Sequence, residues 1–223
     1  MLGSKNSWIT IKLNSNKDIM KLYYGFTFEQ YEAEFSETFN KYFEHLVKDE
    51  GGYLPGKQAK RIKDPGGATN FGISLRFLLS LGINRDDLNA DGDINNDGVI
   101  DEKDIVCLTK AQAKILYFKY FFNPAYDLIN SKEIAHRIFN FGVNAGKPRA
   151  IRIIQATVNE LMDAKILVVD GIFGKKTVAA INGLDPGRLY DRYIINIEYF
   201  YRGLKKEQFL QGWLNRLKKA FTW

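Results

Sequence analysis

Apolar residues recur at helical spacing along most of the chain. The first clear stripe is Phe28, Tyr31, Phe35, Phe39, Phe43, Leu46 and Val47, one face of a helix. Thr27 and Gln30 form a capping box that opens it, and Gly51-Gly52 must stop it, which leaves Glu50 in its last turn. A Gly/Pro-rich, basic loop follows over 53–72, then a short apolar helix over 74–81. Thr109 with Gln112 caps an amphipathic helix that ends before Asn123-Pro124. Ser131 opens another through Ile134, Ile138 and Phe139, closing near 142–146. Pro148 suits the first turn of the next helix, whose buried stripe is Ile151, Ile154, Val158 and Leu161. Asp170-Gly171 and Gly174 mark turns, 177–181 reads as a short helix, and two more helices fill 186–223. Before the first stripe, a leader over 1–25 offers one short strand at 8–13 and little else. The pattern predicts a mainly α fold with a small loop and β region, and no internal repeats.

Composition narrows the class. The chain has 223 residues, 45% hydrophobic and 26% charged, which suits a folded protein and excludes a disordered tail. No apolar run approaches the ~20 residues that span a bilayer. The N-terminus has no apolar stretch with a cleavage-like ending, so no secretory signal is expected. A single cysteine, Cys107, excludes an internal disulfide framework; between Val106 and Leu108 it reads as a small buried hydrophobe rather than a nucleophile. Two histidines, His45 and His136, argue against a His-rich zinc site, and His136 reads as a satisfied buried histidine.

Charge is unevenly placed. The sum is +6, yet residues 86–104 hold eight acidic side chains against one lysine, which leaves 31 basic and 18 acidic residues elsewhere. A basic body predicts an anionic partner, and the acidic stretch predicts a cation of its own. Within it, Asp93, Asn95, Asp97, Asp101 and Asp104 fall at positions 1, 3, 5, 9 and 12 of a loop, with Gly98 at position 6. Val99 at position 7 supplies a backbone carbonyl, and Asp101 would act through water. This is the spacing with which an EF-hand wraps Ca²⁺. Asp104 in place of the usual final Glu makes the loop resemble those of dockerin modules. The expected role is structural; the rival reading is a solvated acidic turn.

Glu50 is the catalytic candidate. A carboxylate in the last turn of a helix faces the negative end of the dipole, and Phe43, Leu46, Val47 and Tyr53 nearby favour its desolvation. Both effects suit a general acid. Glu50-Gly-Gly-Tyr53 followed by Asp64-Pro-Gly-Gly-Ala-Thr69-Asn70-Phe-Gly72-Ile-Ser74 resembles the signature of glycoside hydrolase family 108, lysozyme-like N-acetylmuramidases found among phage endolysins and bacterial relatives. The resemblance continues through Phe118-Lys-Tyr-Phe-Phe-Asn-Pro124 and Phe139-Asn-Phe-Gly-Val-Asn144-Ala-Gly146. Val169-Asp170-Gly-Ile-Phe-Gly174 is similar to the peptidoglycan-binding region that closes such proteins, and Gly212-Trp213 to their terminal helix.

The resemblance implies a lysozyme-like helical globule. It divides into a catalytic region at 26–145, with the calcium-type insert at 86–104, and a helical peptidoglycan-binding region at 146–223 on the same globule. It implies cleavage of the β-1,4 bond between N-acetylmuramic acid and N-acetylglucosamine. Glu50 would be the acid, Asp64 would orient water or stabilise positive charge, and Thr69 would hold the water, while Tyr53, Asn70 and Asn144 are candidate substrate contacts. Asp64 reads equally as a turn or helix-capping residue, Thr69 as a helix-start hydrogen bond, and Asn144 as a helix cap. The basic segment from Arg202, with Phe209, Trp213, Leu214, Leu217 and Phe221, either docks on the core or meets an anionic outer-membrane surface. The remaining expectations are a monomer made in a host cytoplasm and acting on the periplasmic wall. Rival functions are a lytic transglycosylase using the same Glu50 and a non-enzymatic calcium-dependent wall binder. A nucleic-acid binder ranks last, for want of a basic helix-turn-helix or an aromatic RNA-binding motif.

Overall fold

The computed structural model describes residues 34–50, 52–61, 66–84, 91–219 and 221, without the side chains of 49, 50 and 59–61. The fold is mainly helical. In chain order the helices are α1 (Glu37–Glu50), α2 (Gly56–Arg61), α3 (Leu75–Leu81), α4 (Glu102–Cys107) and α5 (Lys110–Tyr120). After a 3-10 turn at Pro124–Leu128 come α6 (Lys132–Ala145), α7 (Lys147–Leu161), α8 (Lys175–Asn182), α9 (Pro186–Gly203) and α10 (Glu207–Lys218). Two short strands, β1 (Thr69–Asn70) and β2 (Ile73–Ser74), form an antiparallel hairpin. Among the described residues no helix is long and apolar enough to cross a membrane.

The chain forms two compact units, Met1–Glu34 with Tyr53–Ile115, and Phe35–Gly52 with Leu116–Trp223. The second owes its core to the stripes read from the sequence. Phe39, Tyr42, Phe43 and Leu46 of α1 are buried, as are Ile134, Ile138 and Phe139 of α6. Phe39 lies at the centre of an aromatic cluster, its ring 5.1 Å from Phe35, 5.1 Å from Phe118, 5.0 Å from Phe122 and 6.4 Å from Phe139. Burial of one such ring is worth roughly 2–3 kcal/mol, and edge-to-face contacts add about 1 kcal/mol each. Ile151, Ile154 and Val158 of α7 complete the interior with Leu189, Tyr193 and Ile197 of α9.

Capping chemistry sets most helix starts. Ser131 accepts the Ile134 amide, and Asn123 caps the 3-10 turn. The Thr109–Gln112 box forms in both directions, at 2.9 and 3.2 Å. The first helix departs from expectation. Its proposed start at Thr27 lies outside the described residues, as does the strand at 8–13. Phe35 and Ser36 are not helical, and Ser36 Oγ accepts the Phe39 amide at 3.1 Å to open α1. Ser36 also donates to Asp127, so a tertiary partner holds the cap. Helix α2 lies inside the stretch whose Gly/Pro-rich composition predicts only a loop. Cys107 is exposed rather than buried, since it ends the short α4 with its side chain turned outward.

The terminal helix uses its apolar face internally. Trp213 stacks on Tyr201 at 5.0 Å, and Leu217 and Phe221 are buried. Arg137, itself buried, secures this end. Its guanidinium donates to the carbonyls of Arg216, Leu217 and Lys219 and to the Tyr190 hydroxyl. Here a cation meets the negative end of a helix, with the last carbonyls as acceptors.

His136 is buried, but not satisfied as expected. It stacks on Phe221 at 4.0 Å beside Tyr42 and His45, and neither ring nitrogen has a hydrogen-bond partner. Desolvation, helped by His45 and Arg137, pushes its pKa down to about 2 from 6.5. Between those values the unfolded chain binds a proton that the folded chain refuses. The contribution of neutral His136 is therefore complete above pH 6.5 and shrinks as the pH falls toward 2. In urea unfolding between pH 6.5 and 4, a His136→Phe variant is expected to lose stability less steeply than wild type, with the two slopes differing by about 1.4 kcal/mol per pH unit at most.

Candidate active site

Glu50 is the last residue of α1, after the buried positions that fix the helix in its core; its side chain lies outside the described set. Asp64 also lies outside the described residues. Thr69 begins β1. Its backbone is bonded twice to Leu54, with N···O distances of 2.8 and 3.0 Å, and Thr69 pairs with Ser74 across the hairpin. The hairpin turns on Phe71 and Gly72, both with positive φ, at 49° and 76°. Two successive left-handed residues make the tight turn whose twist matches the strands. Gly72 adopts that geometry freely, whereas Phe71 is held in it.

Tyr53 is exposed, and its hydroxyl donates to Glu102 at 2.6 Å, which raises the phenol pKa. The Asn70 amide donates to the carbonyls of Ile105 at 3.1 Å and Leu108 at 3.4 Å, so this side chain ties the hairpin to α4. Asn144, in the last turn of α6, donates to the Asn140 carbonyl and accepts from Arg216.

The acidic loop is wound by its own carboxylates. Asp93 accepts the amides of Asp97 at 3.1 Å and Gly98 at 2.8 Å, and Asn95 accepts that of Asp97 at 2.9 Å. Asp97 accepts the amide of Val99, the main reason its pKa is lowered. Gly98 has φ 92°, the left-handed turn expected at position 6. Asp104 is fully buried; it accepts from Asn95 N and, with Asp101, forms a reciprocal capping box on α4. The potential donors are all oxygen, the chemistry Ca²⁺ takes. Among the described residues no three His, Cys, Asp or Glu side chains stand together as a ready-made metal cage.

Gln155 of α7 knots the turn at Asp170-Gly171 that follows the helix. It donates to Asp170 and the Ile172 carbonyl and accepts the Gly171 amide at 3.0 Å. Gly171 has φ 83°, and a Cβ there would meet the Pro148 carbonyl at 2.8 Å. The turn leaves Val168 and Ile172 exposed.

Residues 43–146 match the family described as Glycosyl hydrolase 108. The chain carries a family 108 glycoside hydrolase domain. Behind it, residues 149–218 match a second family, described as Predicted Peptidoglycan domain. Among solved structures, nine chains match significantly. One is SagA of Brucella abortus, 28% identical, with 81% of this chain and 89% of that chain covered and a TM-score of 0.62. No curated protein sequence matches significantly. The two domains make this protein a lysozyme-type glycoside hydrolase acting on peptidoglycan.

The hydrolase domain spans every candidate catalytic and substrate residue, from Glu50 to Asn144, and includes the acidic loop. Glu102, which joins Tyr53 to α4, carries no signal of that role in the sequence. In sequence it is one more acid in a helix's first turn, a place where the dipole alone accounts for it. The hairpin that carries Thr69 depends on its turn glycine. Gly72→Val is expected to destabilise the hydrolase by about 1 kcal/mol or more, because a β-branched residue is strained at positive φ; urea unfolding reads the loss.

Proposed function

We propose that the protein is an N-acetylmuramidase that cleaves the β-1,4 bond between N-acetylmuramic acid and N-acetylglucosamine, with Glu50 as general acid. The observation that carries this reading is the family 108 match over 43–146, which holds Glu50, Asp64 and Thr69 in order. Glu50 ends a 14-residue helix, where the dipole disfavours a carboxylate and suits a proton donor. In the proposed reaction Glu50 protonates the glycosidic oxygen as the bond to the muramic acid carbon breaks. Water completes the substitution, with Asp64 and Thr69 orienting it or countering charge on the ring. Tyr53 offers an aromatic face to sugar, and the peptidoglycan domain adds contacts with the wall. The net charge of +6 favours approach to anionic wall polymers, and its action belongs to the periplasmic wall.

The acidic loop is proposed to hold a structural Ca²⁺ through Asp93, Asn95, Asp97, the Val99 carbonyl and Asp104, with Asp101 acting through water. Support comes from the all-oxygen donor set, the left-handed Gly98 and the burial of Asp93 and Asp104. The ion's part is to neutralise closely spaced carboxylates; it takes no part in the chemistry.

Purified Gram-negative peptidoglycan tests the enzyme reading. Wild type is expected to release muropeptides with reducing ends, and folded Glu50→Gln to be slower by about a hundredfold or more. Products with 1,6-anhydro ends would instead identify a transglycosylase, and binding without product release would leave a wall-binding protein. Calcium is tested apart, by calorimetric titration and melting. Wild type is expected to bind one Ca²⁺ and melt several degrees lower in chelator, roughly the effect of losing a ligand held well above its Kd. Asp93→Ala with Asp97→Ala is expected to abolish both effects.

A further inference from the structure

One oxygen of the Glu102 carboxylate accepts two hydrogen bonds from the segment that follows Glu50. The Tyr53 hydroxyl lies at 2.6 Å from Oε1 and the Gly56 amide at 2.9 Å. Hydrogen bonds to an ionised acceptor are about twice as strong as neutral ones. Gly56 has no side chain, and a Cβ built there would stand 2.7 Å from the other oxygen, Oε2. The carboxylate thus fills the space a side chain at residue 56 would take.

Glu102 is presented from a fixed base. It is the first residue of α4, whose start is locked by the Asp101–Asp104 capping box. Asp104 also accepts the Asn95 amide, which fastens the helix to the acidic loop. The far end of α4 is held by Asn70, which donates to the carbonyls of Ile105 and Leu108. The segment beyond Glu50 is held on its other side as well, because Leu54 is bonded through both backbone groups to Thr69. Tyr53, exposed and next in sequence to Leu54, is thereby fixed at its ring tip by Glu102 and close to its backbone by the Leu54–Thr69 bridge.

We infer that Glu102 is a positioning residue for glycan binding: by tethering Tyr53 and Gly56 to α4 it holds the Tyr53 ring in a fixed attitude for a sugar. An exposed tyrosine without such a tether would lose rotamer and backbone freedom when substrate arrives, and that cost would weaken binding. The tether meets the cost during folding. Because the same helix is rooted in the acidic loop, order in that loop reaches the glycan-binding segment through this carboxylate. The inference rests on the muramidase reading for its substrate; the tether itself rests on geometry alone.

The test uses the full chain as wild type, Glu102→Ala, Glu102→Gln and Gly56→Ala, with hydrogen exchange of the peptide over 53–58 and steady-state kinetics on solubilised peptidoglycan glycan chains. In Glu102→Ala and Gly56→Ala, exchange over 53–58 is expected to rise about tenfold while peptides from α6 and α9 stay unchanged. KM is expected to rise about three- to tenfold with kcat within about twofold, the signature of lost preorganisation rather than lost chemistry. Glu102→Gln keeps an acceptor oxygen and is expected to restore most of the protection and the KM. Unchanged exchange in Glu102→Ala overturns the tether. Faster exchange with an unchanged KM overturns the role in glycan binding. A wild type that binds but does not cleave glycan overturns the muramidase reading, and the exchange data then judge the tether separately.

Discussion

The aromatic packing around Phe39 is the constraint on which the larger unit depends. Phe35, Phe118, Phe122 and Phe139 converge on that one ring from α1, α5, α6 and the chain beside them. Rings at these distances leave few alternative rotamers, so the helix that carries Phe39 has one register and one exit direction. Its exit is Glu50. The residue proposed to donate a proton thus lies on a rigid element, just beyond its last buried turn, instead of on a loop free to wander.

The smaller unit is held together differently. Its described elements include a hairpin of two-residue strands, helices of six or seven residues and a long acidic loop, with a small apolar interior of Ile73, Leu78, Ile105 and Leu108. Side-chain oxygens bonded to backbone amides add to that order: Asp93 on Asp97 and Gly98, Asp104 on Asn95 and Asp101, Glu102 on Gly56, and Ser74 on Phe77. Each such bond contributes only about 1 kcal/mol net, so this unit depends on having many of them and on the charge state of its carboxylates. A cation in the acidic loop would act where that dependence is greatest.

Two buried polar groups show contrasting solutions in the larger unit. Arg137 keeps its charge by gathering three helix-end carbonyls and a tyrosine hydroxyl. His136 gives up its charge, packed between Phe221 and Tyr42 with its nitrogens unbonded. Both fasten the chain's terminal residues to α6, one through hydrogen bonds and the other through ring stacking. Arg137 thereby links the end of the peptidoglycan domain's last helix to a helix of the hydrolase domain.

Hydrophobic spacing and caps are local properties, and they were legible. The stripes of α6 and α7, the Thr109–Gln112 box, the Ser131 cap and the left-handed Gly98 all follow from residues within a few positions of one another. The order of motifs from Glu50 to Gly146 is a property of sequence for the same reason, and it carries the likeness to family 108. What the tertiary structure decided depends on partners far along the chain. Ser36 opens α1 with Asp127, 91 residues away, holding its hydroxyl. Cys107 faces outward because α4 ends there, and His136 lost its expected partners to the packing of Phe221. Glu102 reaches Tyr53 across 49 residues of sequence. Spacing along a chain encodes which face of a helix is apolar; it does not encode which distant carbonyl or hydroxyl a side chain will meet, because only the folded backbone brings the two together.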